Sequence, residues 1–134
     1  MKKVNAISEF SSQRSELLLK NFRESLARQS VIDRMKAFHE ASEAPAPRFW
    51  VSDTRAAIII SRMMKGDDVL SGMQPGKRKM YLEIYKRVKE LRAERPKAPL
   101  GDLVFEVVNS PAPCSYLAAN TVRNILSMRR VGSR

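Results

Sequence analysis

The stretch Pro45-Ala46-Pro47-Arg48-Phe49-Trp50-Val51-Ser52-Asp53-Thr54-Arg55-Ala56-Ala57-Ile58-Ile59-Ile60-Ser61 has an echo 66 residues later: Pro111-Ala112-Pro113-Cys114-Ser115-Tyr116-Leu117-Ala118-Ala119-Asn120-Thr121-Val122-Arg123-Asn124-Ile125-Leu126-Ser127. The prolines coincide. Trp50 meets Tyr116, Val51 meets Leu117, Ile59 meets Ile125, Ile60 meets Leu126 and Ser61 meets Ser127. Each copy reads helix, Pro-Ala-Pro, two residues, aromatic, aliphatic, helix. The prolines stop one helix and restrict the linker. The aromatic is then placed to anchor the next helix against the preceding one. Two readings stand side by side: a pseudo-repeat over 31–65 and 99–130, or one turn chemistry used twice.

Outward from these turns the spacing is helical. Leu18, Leu19, Phe22 and Leu26 share one stripe from about Ser12 onward, whereas Val31, Met35 and Phe38 share another that is rotated away from it. One straight helix cannot present both stripes to one core, so a break is expected near Gln29–Ser30, with Ser30 as the new N-cap and Asp33 in the acidic first turn. The second helix must stop before Pro45. Ala56, Ile59, Ile60, Met63 and Met64 line a helix over 53–65 despite the strand propensity of three isoleucines, and Gly66 ends it. Residues 66–76 read as loop. Met80, Ile84, Val88 and Leu91, broadened by Tyr81 and Tyr85, mark a helix over 76–94. A short apolar helix follows over 100–109, and a last one over 117–130.

The expected fold is all-α: a compact orthogonal bundle of five to six helices, read as two helix–PAP–helix units with a helix-turn-helix-like C-terminal part. Residues 1–11 are expected as a flexible tail, 12–131 as one helical domain and 132–134 as a second tail. The core is expected to hold Leu18, Phe22, Phe38, Trp50, Ile59, Met63, Met80, Ile84, Val88, Leu103, Val107, Tyr116, Val122 and Ile125.

Across 134 residues, 25 Lys+Arg against 14 Asp+Glu leave a net charge of +11. The excess points to polyanionic partners. It is lopsided: residues 75–134 carry 13 basic and 5 acidic side chains, and no acid follows Glu106. Opposite its apolar stripe the last helix presents Asn120, Thr121, Arg123, Asn124, Ser127 and Arg130. These side-chain types read base edges, Arg on guanine, Asn on adenine, Ser or Thr on either. Lys77, Arg78 and Lys79, with no acid beside them, suit phosphate contacts. The Lys86–Lys97 segment is interleaved with Glu90 and Glu94 and reads as a solvated face, and Arg48, Arg55, Arg62 and Lys65 read as isolated surface charge.

Catalytic and metal chemistry find no support. One cysteine (Cys114) and one histidine (His39) exclude a disulfide framework and a Cys/His zinc site. Gly72-Met73-Gln74-Pro75-Gly76-Lys77-Arg78 lacks the spacing of a phosphate-binding loop, and no nucleophile elbow occurs. Asp67-Asp68 solvates a loop. No catalytic residue, cofactor or metal is expected. The basic start Met1-Lys2-Lys3 is not followed by an apolar signal region, and the longest apolar run is Ala56–Ile60, so a cytoplasmic protein without membrane contact is expected.

The segment Leu117-Ala118-Ala119-Asn120-Thr121-Val122-Arg123-Asn124-Ile125-Leu126 resembles the recognition helix of the broad helix-turn-helix class, with the 100–109 helix crossing behind it. The connection between them, Ser110 to Tyr116, exceeds the usual turn of about 3–4 residues. The stretch Pro45-Ala-Pro-Arg-Phe-Trp-Val-Ser52 through Glu106-Val-Val-Asn-Ser-Pro-Ala-Pro113 resembles small helical proteins of unassigned role from Bacteroides-type bacteria and their mobile elements. That resemblance implies a bacterial or phage origin and carries no catalytic residue. The expected function is non-enzymatic binding of duplex DNA by a phage or mobile-element regulator. The alternatives are RNA binding, with Phe49, Trp50, Tyr81, Tyr85 and Tyr116 as the available stacking rings, and a structural or adaptor protein (a virion component or a host-protein binder). The adaptor would form homo-oligomers through an N-terminal helix bearing Leu17 to Leu19 and Phe22.

Overall fold

Proline, glycine and side-chain caps cut the chain into helices. The structure, a computed structural model, describes the backbone of residues 2–132 and the side chains of residues 10–128. Within it lie α1 (Lys2–Arg28), α2 (Arg34–Glu43), α3 (Asp53–Met64), α4 (Pro75–Glu94), α5 (Leu100–Val108) and α6 (Ala119–Gly132), and no strand ladder, so the fold is all-α. Asp33 caps α2 by accepting from the Lys36 N–H, and Ser52 caps α3 by accepting from Arg55. Gly66, at φ 87°, closes α3 in the left-handed conformation. Its N–H reaches the Met63 carbonyl at 3.0 Å, and the Asp67 N–H reaches Arg62 at 3.0 Å. Pro75 opens α4 at its first turn, where a missing N–H costs nothing.

The offset of 66 that relates the two Pro-Ala-Pro turns relates the helices as well. It carries the end of α1 (Arg28) to the end of α4 (Glu94), and the starts of α2 and α3 to the starts of α5 and α6. The four buried positions of α2, Ala37, Phe38, Ala41 and Ser42, fall on the four of α5, Leu103, Val104, Val107 and Val108. Buried Ala56 and Ile60 of α3 fall on buried Val122 and Leu126 of α6.

The chain divides into two compact units, one made of Met1–Ala46 with Pro113–Arg134 and the other of Pro47–Ala112. The first holds α1, α2 and α6; the second holds α3, α4 and α5. Each unit therefore takes its third helix from the other half of the chain, and both crossings lie in Pro-Ala-Pro turns. In the first unit α2 packs on α1 and α6, around Leu18, Phe38, Ala41, Val122 and Leu126. Leu19, Phe22 and Ile125 line that core, and the Phe22 and Phe38 rings stack at 4.5 Å. In the second, α5 packs on α3 and α4. Ile60, Ile84, Val88, Leu103, Val104 and Val108 are fully buried there. Each such side chain stabilises by about 1.5–3 kcal/mol through its removal from water.

Several expectations are corrected. Where a tail is expected over 1–11, residues 2–11 are helical: α1 runs from Lys2, because no glycine or proline interrupts it before Arg28. The cap of α2 is Asp33, not Ser30, so Val31 precedes the helix and stands 82% exposed, with Met35 exposed too. The last helix begins at Ala119 rather than 117, since Tyr116 at φ 61° turns the chain just before it. Two compact units stand where one domain is expected. The Pro-Ala-Pro turns carry the chain from one unit to the other instead of joining two helices of one unit. Most of the expected core is buried; Phe22, Met63, Tyr116 and Ile125 are partly so.

Candidate nucleic-acid interface

The site is built on α6. Burial of Val122 and Leu126 against the first unit fixes the roll of this helix and turns Asn120, Thr121, Arg123, Asn124 and Ser127 to the exposed side. All five expected reading side chains with described positions are thus exposed together on one element. The side chain of Arg130 lies outside the described residues. No carboxylate occurs in α6, so nothing on the helix itself repels phosphate.

The helix behind α6 is α2, not the expected 100–109 helix, which belongs to the other unit. Ser115 makes the connection. Its N–H donates to the Ser42 carbonyl at 3.1 Å, its hydroxyl donates to the same oxygen at 2.7 Å, and its Oγ accepts from the Leu117 N–H at 3.2 Å. This buried serine ties the approach to α6 to the last turn of α2. The sequence reading missed it, and only its place 66 residues after buried Phe49 marked it.

Lys77, Arg78 and Lys79 open α4 in the second unit, so the structure places them in a different unit from the α6 residues. Lys77 and Lys79 are exposed and Arg78 is partly buried. The N-cap Gln74 gives no side-chain bond to this turn, and three cations at a helix N-terminus oppose the helix dipole.

Other basic residues are held by the fold. Arg87 pairs with Glu83 at 2.8 Å, donates to the Pro111 carbonyl at 2.7 Å and lies 5.1 Å from the centre of the Phe49 ring. Arg92 donates to the carbonyls of Pro96 and Ala98, and Arg95 pairs with Glu106 at 2.7 Å. Arg48 is not isolated surface charge: it is partly buried and donates to the carbonyls of Phe49 and Val51. Burial lowers its pKa, with Asp53 acting the other way. Burial pushes the Tyr81 phenol above its ordinary value, with the Arg55 charge acting the other way, and Arg62 pairs with Asp67.

The remaining candidates look different in place. Phe49, Trp50 and Tyr81 are buried, and Tyr85 and Tyr116 are partly so. Of Leu17, Leu18, Leu19 and Phe22, expected as an oligomerisation face, the last three are spent on the core of the first unit, and Leu17 is partly buried. His39 sits exposed beside Glu43, at 3.5 Å. Among the described residues no three His, Cys, Asp or Glu side chains gather as metal ligands, and no helix is long and apolar enough to cross a membrane.

A cleft that spacing did not reveal lies at the α1–α2 elbow, lined by Ser25, Arg28, Gln29, Lys36 and Glu40 among others. Buried Ser25 donates to the Glu40 carboxylate at 2.5 Å, and Arg28 pairs with it at 3.4 Å. The Ser25 bond, helped by Lys36 and Arg28, holds the Glu40 carboxyl below its ordinary value. Arg14, one turn before core residue Leu18, has a buried Nε with no hydrogen-bond partner among the described residues, and burial lowers its pKa. No family model, no curated protein and no solved structure matches this chain.

Proposed function

We propose that this protein binds duplex DNA without catalysing a reaction, as a regulator of the phage or mobile-element kind, and reads sequence through the outward face of α6. One observation carries the reading. The two halves of the chain keep their buried positions but differ outside: where α3 presents Ala57 and Ile58, α6 presents Arg123 and Asn124. A solvated helix needs only polarity. Arg and Asn at adjacent outward positions, with Asn120, Thr121 and Ser127 around them, supply the donors and acceptors that distinguish base pairs in a major groove.

The support behind the helix suits the same task. Helix-turn-helix proteins brace a reading helix with a preceding one across a short connection. Here α2 is the brace and Ser115 holds the approach, so the pair would act as a helix-turn-helix assembled from two distant parts of the chain. Lys77 and Lys79 supply phosphate contacts. Burial of Phe49, Trp50 and Tyr81, three of the five candidate stacking rings, argues against RNA read by stacking.

The test is duplex binding by the full chain at two salt concentrations. Binding that weakens steeply with salt, and a sequence preference relaxed by Arg123→Ala, supports the reading. Salt-insensitive or undetectable duplex binding removes it.

A further inference from the structure

A chain with two equivalent third helices has two candidate readers, and two readers ordinarily call for a two-part target. The side chains say otherwise. At the centre of its outward face α3 carries Ile58, 53% exposed, and partly buried Ala57, neither able to hydrogen-bond a base edge, which leaves only the hydroxyls of exposed Thr54 and partly buried Ser61 beside them. Of its arginines, Arg62 pairs with Asp67 at 3.4 Å, and Arg55 is exposed in the first turn. The exposed Asp53 carboxylate stands in the first turn of α3, where it repels phosphate. At the positions equivalent to Asp53, Arg55, Ala57 and Ile58, α6 has Ala119, Thr121, Arg123 and Asn124.

We infer that only one of the two equivalent helices reads DNA, so that the target is a single asymmetric duplex site bound by one chain. This rests on the DNA-binding reading above and adds what kind of duplex is recognised. The repeat has kept its core for folding in both halves and has equipped only the second third-helix for recognition. The first third-helix serves to complete the core of the other unit. Base contacts then come from three or four side chains on α6, which cover a short contiguous block without internal two-fold symmetry.

The experiment is selection from a random-sequence duplex library by the full chain, followed by stoichiometry on the selected duplex and binding by variants whose fold is checked by circular dichroism. The expected result is one motif lacking two-fold symmetry and one chain per duplex. Arg123→Ala and Asn124→Ala each lose roughly tenfold in preference for that motif, while Ile58→Ala and Arg62→Ala leave the preference unchanged. A selected inverted repeat, two chains per duplex, or a preference lost through Ile58→Ala or Arg62→Ala overturns the inference while leaving DNA binding standing. Failure to select any duplex overturns both.

Discussion

The Phe49 amide donates to the Val108 carbonyl at 2.9 Å, and 66 residues further along the repeat the Ser115 amide donates to the Ser42 carbonyl at 3.1 Å. One bond lies in each unit. Each joins the residue two places past a Pro-Ala-Pro turn to the end of a helix from the other half of the chain. The same backbone register therefore docks both third helices, although a ring fills the position in one unit and a hydroxyl in the other. Phe49 is stabilised by burial and by the Arg87 guanidinium over its ring, Ser115 by a second bond to the same carbonyl.

The exchange of third helices predicts an unequal response to C-terminal truncation. Removing residues 118–134 takes away Val122 and Leu126, which complete the core around Leu18 and Phe38. Amide exchange should then show α1 and α2 losing protection while α3, α4 and α5 keep theirs. Leu126→Ala alone should destabilise the first unit by about 2–4 kcal/mol in urea denaturation. Equal loss of protection in α4 and α5 would contradict the assignment of α6 to the first unit.

Much of this was legible from local chemistry. Pro45, Gly66, Pro75 and Pro111 punctuate the chain at their own positions, and helical spacing alone placed Val122 and Leu126 inside and Arg123 and Asn124 outside. Which groove a third helix fills is a matter of tertiary competition. Equivalent helix pairs offer equivalent grooves, so the 66-residue offset exposed the repeat but not the exchange. The roles of the arginines were hidden for a similar reason. Arg87 reads as one more cation on a charged helix, and its carbonyl partner lies 24 residues away. The cap of α2 was misread because Ser30 and Asp33 both suit that role, and only the backbone decides between them.

Phosphate contact by the start of α4 predicts a signature in salt dependence. Lys77→Ala and Lys79→Ala should each weaken binding to all duplexes alike and reduce the slope of log affinity against log salt by roughly 0.9. Arg87→Ala should instead lower stability, because that guanidinium holds the Pro111 carbonyl. A Lys79→Ala variant with an unchanged slope would remove this residue from the interface.

Acid should loosen both elbows. Glu40 accepts from Ser25 and Arg28, and its repeat equivalent Glu106 accepts from Arg95 at 2.7 Å. Each carboxyl sits below its ordinary value of 4.5, for Glu40 chiefly through the Ser25 bond and for Glu106 chiefly through Arg95. A depressed folded pKa means that the contribution is complete above the unfolded value and disappears as pH falls through the lower folded one. Urea midpoints should therefore drop below about pH 4.5. Glu40→Gln and Glu106→Gln should each flatten that drop while lowering stability at pH 7. Unchanged acid profiles in both variants would show that other carboxylates govern the loss.

Arg14 yields the least intuitive expectation. Its repeat equivalent is Met80, a core residue 5% exposed, and it stands one helical turn before Leu18 on the same side of α1. A methionine there fills space without polar atoms, whereas the guanidinium leaves a buried Nε unbonded and is partly stripped of water. An unsatisfied buried donor costs about 1–3 kcal/mol, and a partly exposed guanidinium recovers some of this by reaching solvent with its other nitrogens. Arg14→Met should therefore stabilise the first unit, by about 1 kcal/mol, in spite of deleting a charge. Arg14→Ala removes the orphan donor but also the stem that packs along the helix, and should lose stability. Denaturant midpoints ordered Met, then wild type, then Ala support this account. A destabilised Arg14→Met would mean that the guanidinium has a structural task that its methionine counterpart cannot perform.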